Sequence, residues 1–233
     1  MTIVEKIFSP LIHLFFPHIC AGCGDDVINP PNLLCLRCLD QLPHTGFGML
    51  EENTVERIFW GRIQLKAAMS EFYFTKGNIV QTLIHELKYK GNKEMGLMLG
   101  NMIGDSLIHS DRFNDLDALI PLPLYSKREF KRGYNQSEIL CRGIAMITNI
   151  PIISGNVIRK RSTETQTKKR RTKRWENIEG SFQIQYPEEL QGKHLLLVDD
   201  VITTGATIEA CARIMLEIPG VSLSVATLAY ATV

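Results

Sequence analysis

Apolar positions along this chain follow two different spacings, which together predict an α/β protein. Apolar residues three or four apart predict amphipathic helices, and short continuous apolar runs predict strands buried on both faces of a sheet. The predicted helices comprise residues 78–90, 94–109, 136–148 and 208–217. The predicted strands comprise residues 118–122, 152–159, 195–198 and 221–229, with residues 62–74 as a strand pair or an extended run. Because helices and strands alternate, the pattern indicates parallel β-α-β units.

The first 60 residues have another character. Residues 17–49 are rich in Cys, Pro, Gly, Asn and His and show little periodicity, which is typical of a loop-dominated module. Residues 3–16 predict a short amphipathic helix. We therefore predict a small module over residues 1–60 and an α/β domain over residues 61–233. No apolar run reaches the about 18 residues that a membrane-spanning helix needs, so we expect no membrane span.

Four of the six cysteines are grouped in two pairs, each with two residues between its members. These are Cys20, Cys23, Cys35 and Cys38. Two such pairs bring four thiolates to one ion, and a site with four protein ligands has no open position, so we predict a structural Zn²⁺. A redox role needs a single pair at the start of a helix, and three disulfides suit a small exported chain. We therefore expect a reducing, cytoplasmic environment.

Residues 195–207, LLLVDDVITTGAT, are the most informative segment of the chain. A buried strand is predicted to end in Asp199 and Asp200, and a helix follows after a short loop. Unpaired backbone N–H groups and the helix dipole favour an anion at such a place. The predicted phosphate ligands are Val201, Thr203, Thr204, Gly205, Ala206 and Thr207. Paired carboxylates suit hydroxyl groups or Mg²⁺, so the segment indicates a ribose 5-phosphate, unless the acids are merely solvated beside a capped helix.

Residues 196–207 resemble, without interruption, the phosphoribosyl-pyrophosphate (PRPP) binding signature of type I phosphoribosyltransferases. The resemblance implies the type I phosphoribosyltransferase fold, a mostly parallel sheet flanked by helices. It also implies that PRPP binds together with Mg²⁺. Asp199 and Asp200 would then hold the 2- and 3-hydroxyls of the ribose, and the loop would hold its 5-phosphate.

Two basic segments are candidates for the pyrophosphate of PRPP. Arg128 and Arg132 lie in a charged stretch, interpreted as a turn, between the strand at 118–122 and Gly133. Residues 159–174 contain nine Lys or Arg and one acidic residue, a net charge of +8 in a chain whose net charge is +1. Arg171 and Arg174 belong to that stretch. The stretch 159–174 lacks an apolar face, so we expect it to be a loop that closes over pyrophosphate or contacts a nucleic acid backbone.

Several motifs, in this order and spacing, resemble the competence protein F (ComF) family of bacteria. They lie at residues 87–91, 121–123, 132–137, 166–177 and 196–207, behind the four clustered cysteines. The resemblance implies a phosphoribosyltransferase-like domain behind an N-terminal zinc ribbon, and a link to DNA uptake during competence.

Two functions remain open from the sequence. The first is an enzyme in which Asp199 and Asp200 orient the ribose of PRPP, pyrophosphate leaves, and an acceptor, expected to be a nitrogen nucleophile, attacks. The second is a non-catalytic protein that senses PRPP or binds single-stranded DNA beside other DNA-uptake proteins. The acceptor and the oligomeric state have no signature in the sequence.

Overall fold

The computed structural model of this protein describes residues 19–26, 31–160 and 180–231. Its centre is a four-stranded parallel sheet of order β1-β6-β5-β2. The four strands are β1 (Ala68–Phe74), β2 (Ala118–Pro121), β5 (His194–Ile202) and β6 (Ser222–Ala231). A separate antiparallel hairpin consists of β3 (Val157–Arg159) and β4 (Phe182–Ile184). The predicted parallel sheet is therefore confirmed, whereas the predicted helix at 3–16 lies outside the described residues.

Helices cover the sheet and connect its strands. They are α1 (Leu36–Asp40), α2 (Thr54–Phe59), α3 (Ile79–Tyr89), α4 (Lys93–Ile108), α5 (Ser126–Arg132), α6 (Gln136–Thr148) and α7 (Ala206–Leu216). Asparagines cap four of them, because an Asn side chain accepts hydrogen bonds from the first free N–H groups of a helix. Asn53 caps α2, Asn78 caps α3, Asn92 caps α4 and Asn135 caps α6. The four helices predicted from apolar spacing are confirmed within two residues.

Residues 152–159 were predicted as one strand, and that prediction is wrong. Ile152 makes a single parallel bridge to Leu119, and the chain then turns at Gly155, whose φ of +77° suits glycine. Only residues 157–159 form a strand, and they pair with β4 instead of the main sheet. In the predicted run 62–74, regular strand begins at Ala68.

The stretch interpreted as a charged turn forms the helix α5 instead. All seven of its residues are described and none is buried. Because a helix without a buried face has no apolar periodicity, the pattern of the sequence contained no signal for it.

The topology opens a crevice at the carboxyl ends of β2 and β5. From β5 the chain continues through α7 to β6 on one side, whereas after β2 it returns to Ile152 on the far side of β2. Ligands of open parallel sheets bind at the point where connections diverge in this way. The side chains of α2 at Val55 and Phe59 belong to the same apolar core as the sheet. The boundary near residue 60 stays a prediction.

Within the described ranges, every helix is too short or too polar to cross a membrane.

Candidate functional site

Strand β5 pairs with β2 over a shorter length than with β6, and this difference exposes the acidic pair to the crevice. Pairing with β2 ends at Val198, opposite Pro121, whereas pairing with β6 continues to Ile202, opposite Tyr230. The strand predicted at residues 195–198 is therefore too short, because pairing with β6 continues for four more residues. Asp199, Asp200 and Val201 lie inside β5, at the side that β2 leaves open.

Asp199 is held in place from two directions. The backbone N–H of Asp200 donates to its Oδ1 at 2.8 Å, and the hydroxyl of Ser137 donates to the same oxygen at 3.2 Å. Burial, followed by the neighbouring charge of Asp200, raises the pKa of Asp199 to about 7. The Asp199 carboxyl is therefore about half protonated near neutral pH, so that it can donate as well as accept a hydrogen bond.

Asp200 is paired with a lysine from a distant part of the chain. The Nζ of Lys88 lies 2.9 Å from its Oδ1, with side chains that are 19% and 13% exposed. Such a partly buried pair fixes the carboxylate more firmly than a surface pair would. Lys88 is in the last turn of α3, so this helix presents a cation to the acidic pair.

The loop after β5 has the form that the sequence predicted. Thr203 and Thr204 are exposed, and Gly205 is buried with a φ of +71°. A β-carbon on Gly205 would lie 2.8 Å from Ile58 Cγ2 and 2.9 Å from Phe59 Cε1, so a larger residue does not fit. Ala206 and Thr207 form the first turn of α7, whose free N–H groups face the loop. The loop is closed by α2 on one side and open on the other.

Arg128 and Arg159 lie near Asp199, whereas the contacts of Arg132 are with other residues. Burial, followed by the positive charge of Arg128, lowers the pKa of Arg159, while Asp199 acts to raise it. Arg159, Arg128 and Asp199 are therefore close enough to act on one another. Arg132 lies farther along α5, where it donates to Gln136 at 2.6 Å and stands 5.6 Å from the ring centre of Tyr89. Arg171 and Arg174 lie outside the described residues.

The four predicted metal ligands come together in the N-terminal part. The sulfur atoms of Cys20, Cys23, Cys35 and Cys38 all lie within 4.8 Å of one another. Tetrahedral zinc with bonds of about 2.3 Å separates its sulfur ligands by about 3.8 Å, and the Cys23–Cys35 sulfur distance is 3.8 Å. All are free thiols in the described residues. The donor set therefore fits a four-thiolate zinc ion.

The surroundings of Cys20 favour its thiolate, and the turn at Gly22 is tight. Burial acts to raise the pKa of Cys20, but backbone N–H groups of Cys23, Cys35 and Gly22 outweigh it and lower this pKa to about 6. A β-carbon on Gly22 would lie 2.8 Å from Cys38 Sγ and 2.9 Å from Ile79 Cδ1. The cluster consequently packs directly on the first turn of α3.

Comparison with known proteins gives the family. The phosphoribosyl transferase domain family matches residues 148–232, the part that contains β5, the loop and α7. The DNA utilization protein YhgH of Salmonella typhimurium is 28% identical over 85% of this chain and 78% of that protein. Competence protein F of Haemophilus influenzae is 25% identical over 88% of this chain and 86% of that protein. These relatives, together with the domain match, support the ComF family within the phosphoribosyltransferase superfamily.

The parallel sheet flanked by helices and the match to the phosphoribosyl transferase domain confirm the fold class predicted from the sequence. Among solved structures, the glutamine PRPP amidotransferase of Bacillus subtilis is similar with a TM-score of 0.39 and 17% identity. That similarity covers 60% of this chain and 30% of that protein. With a TM-score below 0.5, this similarity supports no conclusion about the site.

Several residues of this site have little or no signal in the sequence. Lys88 lies in the motif at residues 87–91, which by itself indicates only the end of a helix. Ser137 belongs to the motif at 132–137, and Arg159 belongs to the basic stretch at 159–174. Arg62, which contacts the loop from 142 positions away, had no signal at all.

Proposed function

We propose that this protein binds PRPP, with Mg²⁺, at the crevice between β2 and β5 and transfers its phosphoribosyl group to an acceptor. One observation supports the proposal most strongly. Two residues separate the acidic pair of Asp199 and Asp200 from the exposed Thr203 and Thr204, and the buried Gly205 and the first turn of α7 follow. A ribose 5-phosphate requires polar side chains that bind its hydroxyl groups and, beside them, N–H donors that bind its phosphate.

The loop would bind the 5-phosphate, and the acids would bind the ribose. Backbone N–H groups of residues 203–207 and the hydroxyls of Thr203, Thr204 and Thr207 supply donors for the phosphate oxygens. Because Asp199 titrates near pH 7, the acidic pair has both an acceptor and a donor for the two ribose hydroxyls. The ion pair with Lys88 holds the Asp200 side chain in one orientation.

The pyrophosphate would extend from the anomeric carbon toward the basic residues at the crevice. Arg128 and Arg159 are placed on the side of Asp199, and Arg132 follows on α5. Arg171 and Arg174 remain predicted ligands of the same group. Bound Mg²⁺ would neutralise charge on the leaving pyrophosphate. During transfer the bond from the anomeric carbon to the pyrophosphate oxygen breaks, and a bond to a nitrogen of the acceptor forms. The nearby carboxylates stabilise the positive charge that develops on the ribose ring.

Titration calorimetry followed by an assay of pyrophosphate release tests the proposal. PRPP with Mg²⁺ is expected to bind at about one molecule per chain, and a panel of bases and amines is expected to contain an acceptor that triggers release. Binding without release for the whole panel would restrict the function to sensing PRPP. No binding of PRPP at millimolar concentration would contradict the proposal.

A second candidate, the binding of single-stranded nucleic acid, is favoured by the surface of α5. Phe130 is 92% exposed there. The exposed basic side chains of Lys127, Arg128 and Lys131 lie on the same short helix. An exposed ring beside several cations is the combination that holds single strands, since bases stack on the ring and phosphates pair with the cations.

Replacing Phe130 by Ala tests this second candidate. The affinity for a labelled oligothymidine is expected to fall about tenfold, because one stacked base is lost. The affinity should also fall as salt concentration rises. Tyr186→Ala removes an aromatic ring that is 51% exposed outside α5 and serves as the matched control. Equal binding by Phe130→Ala and the wild type would show that α5 is not the interface.

A further inference from the structure

Arg62 connects the segment after α2 to the loop that follows β5. Its Nη1 donates to the carbonyl oxygen of Ile58 at 2.9 Å and to the carbonyl oxygen of Thr204 at 2.9 Å. The first bond fixes the guanidinium on the end of α2, and the second reaches across to the loop. One rigid, planar group therefore holds two backbone segments at a set distance.

A buried carboxylate holds the other side of this guanidinium. Glu209, in the first turns of α7, is 1% exposed and forms an ion pair with Nη2 of Arg62. Arg213 also binds Glu209, at 2.6 Å, but it lies one turn farther from the loop and its side chain is 50% exposed. Two arginines thus share one acid, and Arg62 is the one that also contacts Thr204.

The bond to Thr204 fixes the direction of a neighbouring N–H group. In a trans peptide unit the carbonyl and the following N–H point in opposite directions. When the carbonyl of Thr204 faces Arg62, the N–H of Gly205 faces away from α2, toward the open side of the loop. Ile58 and Phe59 close the α2 side, since they would contact any β-carbon on Gly205 within 3 Å.

A glycine at this position makes the direction of the peptide unit easy to reverse. Gly205 has a φ of +71° and adopts positive and negative φ at similar cost, so its own conformation does not prevent rotation of the preceding peptide unit. A reversed unit would direct the Thr204 carbonyl, a negative dipole end, toward a bound phosphate. Some contact outside the loop is therefore needed to keep the N–H on the ligand side.

We infer that Arg62 is a positioning residue for the phosphate loop, keeping the Gly205 N–H directed at the 5-phosphate. This inference rests on the proposed binding of PRPP. The ligand class is a phosphate monoester on a sugar, and Arg62 acts on it through the peptide unit without touching it. The contact also makes residues 58–62 part of the binding site, although they precede the first strand of the sheet.

Arg62→Lys tests the inference, with Arg213→Lys as the matched control. Lysine keeps a charge for Glu209 but cannot hold both carbonyl oxygens in the fixed geometry of a guanidinium. The dissociation constants of PRPP and of ribose 5-phosphate are expected to rise about tenfold in Arg62→Lys, since one donor to a charged group is lost. Arg213→Lys is expected to leave both constants unchanged. Inorganic pyrophosphate, which does not use this loop, should bind both variants like the wild type.

The outcomes separate this inference from the proposed function. If the wild type does not bind PRPP, the proposed function fails and the inference with it. If the wild type binds PRPP and Arg62→Lys binds it equally well, with only a lower melting temperature, Arg62 is merely structural and the inference alone is overturned. Should Arg62→Lys fail to fold, Arg62→Met combined with Glu209→Gln removes both buried charges together. That double variant must show the same loss of affinity for PRPP.

Discussion

Replacing Asp199 and Asp200 together by asparagine is expected to lower the affinity for PRPP at least about a hundredfold. At pH 8, above the pKa of Asp199 of about 7, two charge-assisted hydrogen bonds to the ribose hydroxyls are lost. Each contributes about 1.5–3 kcal/mol, and a tenfold change in affinity corresponds to about 1.4 kcal/mol. The substitutions preserve shape, so the loop and α7 should keep their positions. Titration calorimetry with PRPP and Mg²⁺ measures the loss.

The single variants separate a lost contact from a damaged fold, because they should change stability in opposite directions. Burial raises the pKa of Asp199 to about 7, above an unfolded value of about 3.9. The folded protein therefore loses stability as pH rises from about 4 to about 7, and Asp199→Asn removes this loss. At pH 8 this variant should be more stable than the wild type. Asp200→Asn should be less stable, since Lys88 loses its partner.

Both single variants should nevertheless bind PRPP more weakly than the wild type. An affinity that simply followed the melting temperature would contradict a direct role of the acids. Asp105→Asn, at a carboxylate whose side chain is 68% exposed on α4, is the control for the loss of one negative charge. It should bind PRPP as the wild type does.

Loss of zinc is expected to have the largest effect on stability. The purified protein should contain about one zinc ion per chain, and Cys38→Ser should contain almost none, because a structural site needs all four thiolates. Structural zinc contributes about 10–16 kcal/mol in small zinc-binding peptides. The melting temperature of the N-terminal part should therefore fall steeply in this variant. Metal analysis and differential scanning calorimetry measure the two effects.

Cys141→Ser is the matched control for the metal site, because Cys141 is buried in α6 outside the cysteine cluster. It should keep its zinc even where it loses some stability. A metal-free wild type with Cys20 bonded to Cys23 and Cys35 to Cys38 as disulfides would contradict the zinc assignment.

Features that depend on neighbouring residues could be predicted from the sequence. The apolar run at 195–198 indicated the central strand because a strand buried on both faces needs no alternation. Helix α6 was predicted with both its ends, since Asn135 caps its start and Asn149, with a φ of +59°, ends it. The cysteine cluster was predicted because each pair of ligands is local.

Features that depend on distant contacts could not be predicted. Lys88 and Asp200 are 112 positions apart, and only the packing of α3 against the sheet brings them together. The same holds for Arg62 and Thr204. The continuation of β5 through the acids depends on pairing with β6, which the residues of β5 do not encode. The α5 helix escaped prediction because it has no buried face.

A phosphorylated ribose is expected to bind where β5 passes into α7. A crystal structure of the protein with ribose 5-phosphate tests this most directly. The phosphate is expected within hydrogen-bonding distance of the N–H groups of residues 203–207, and the ribose hydroxyls are expected on Asp199 and Asp200. Density for the sugar at another place, with this loop vacant at saturating concentration, would contradict this expectation.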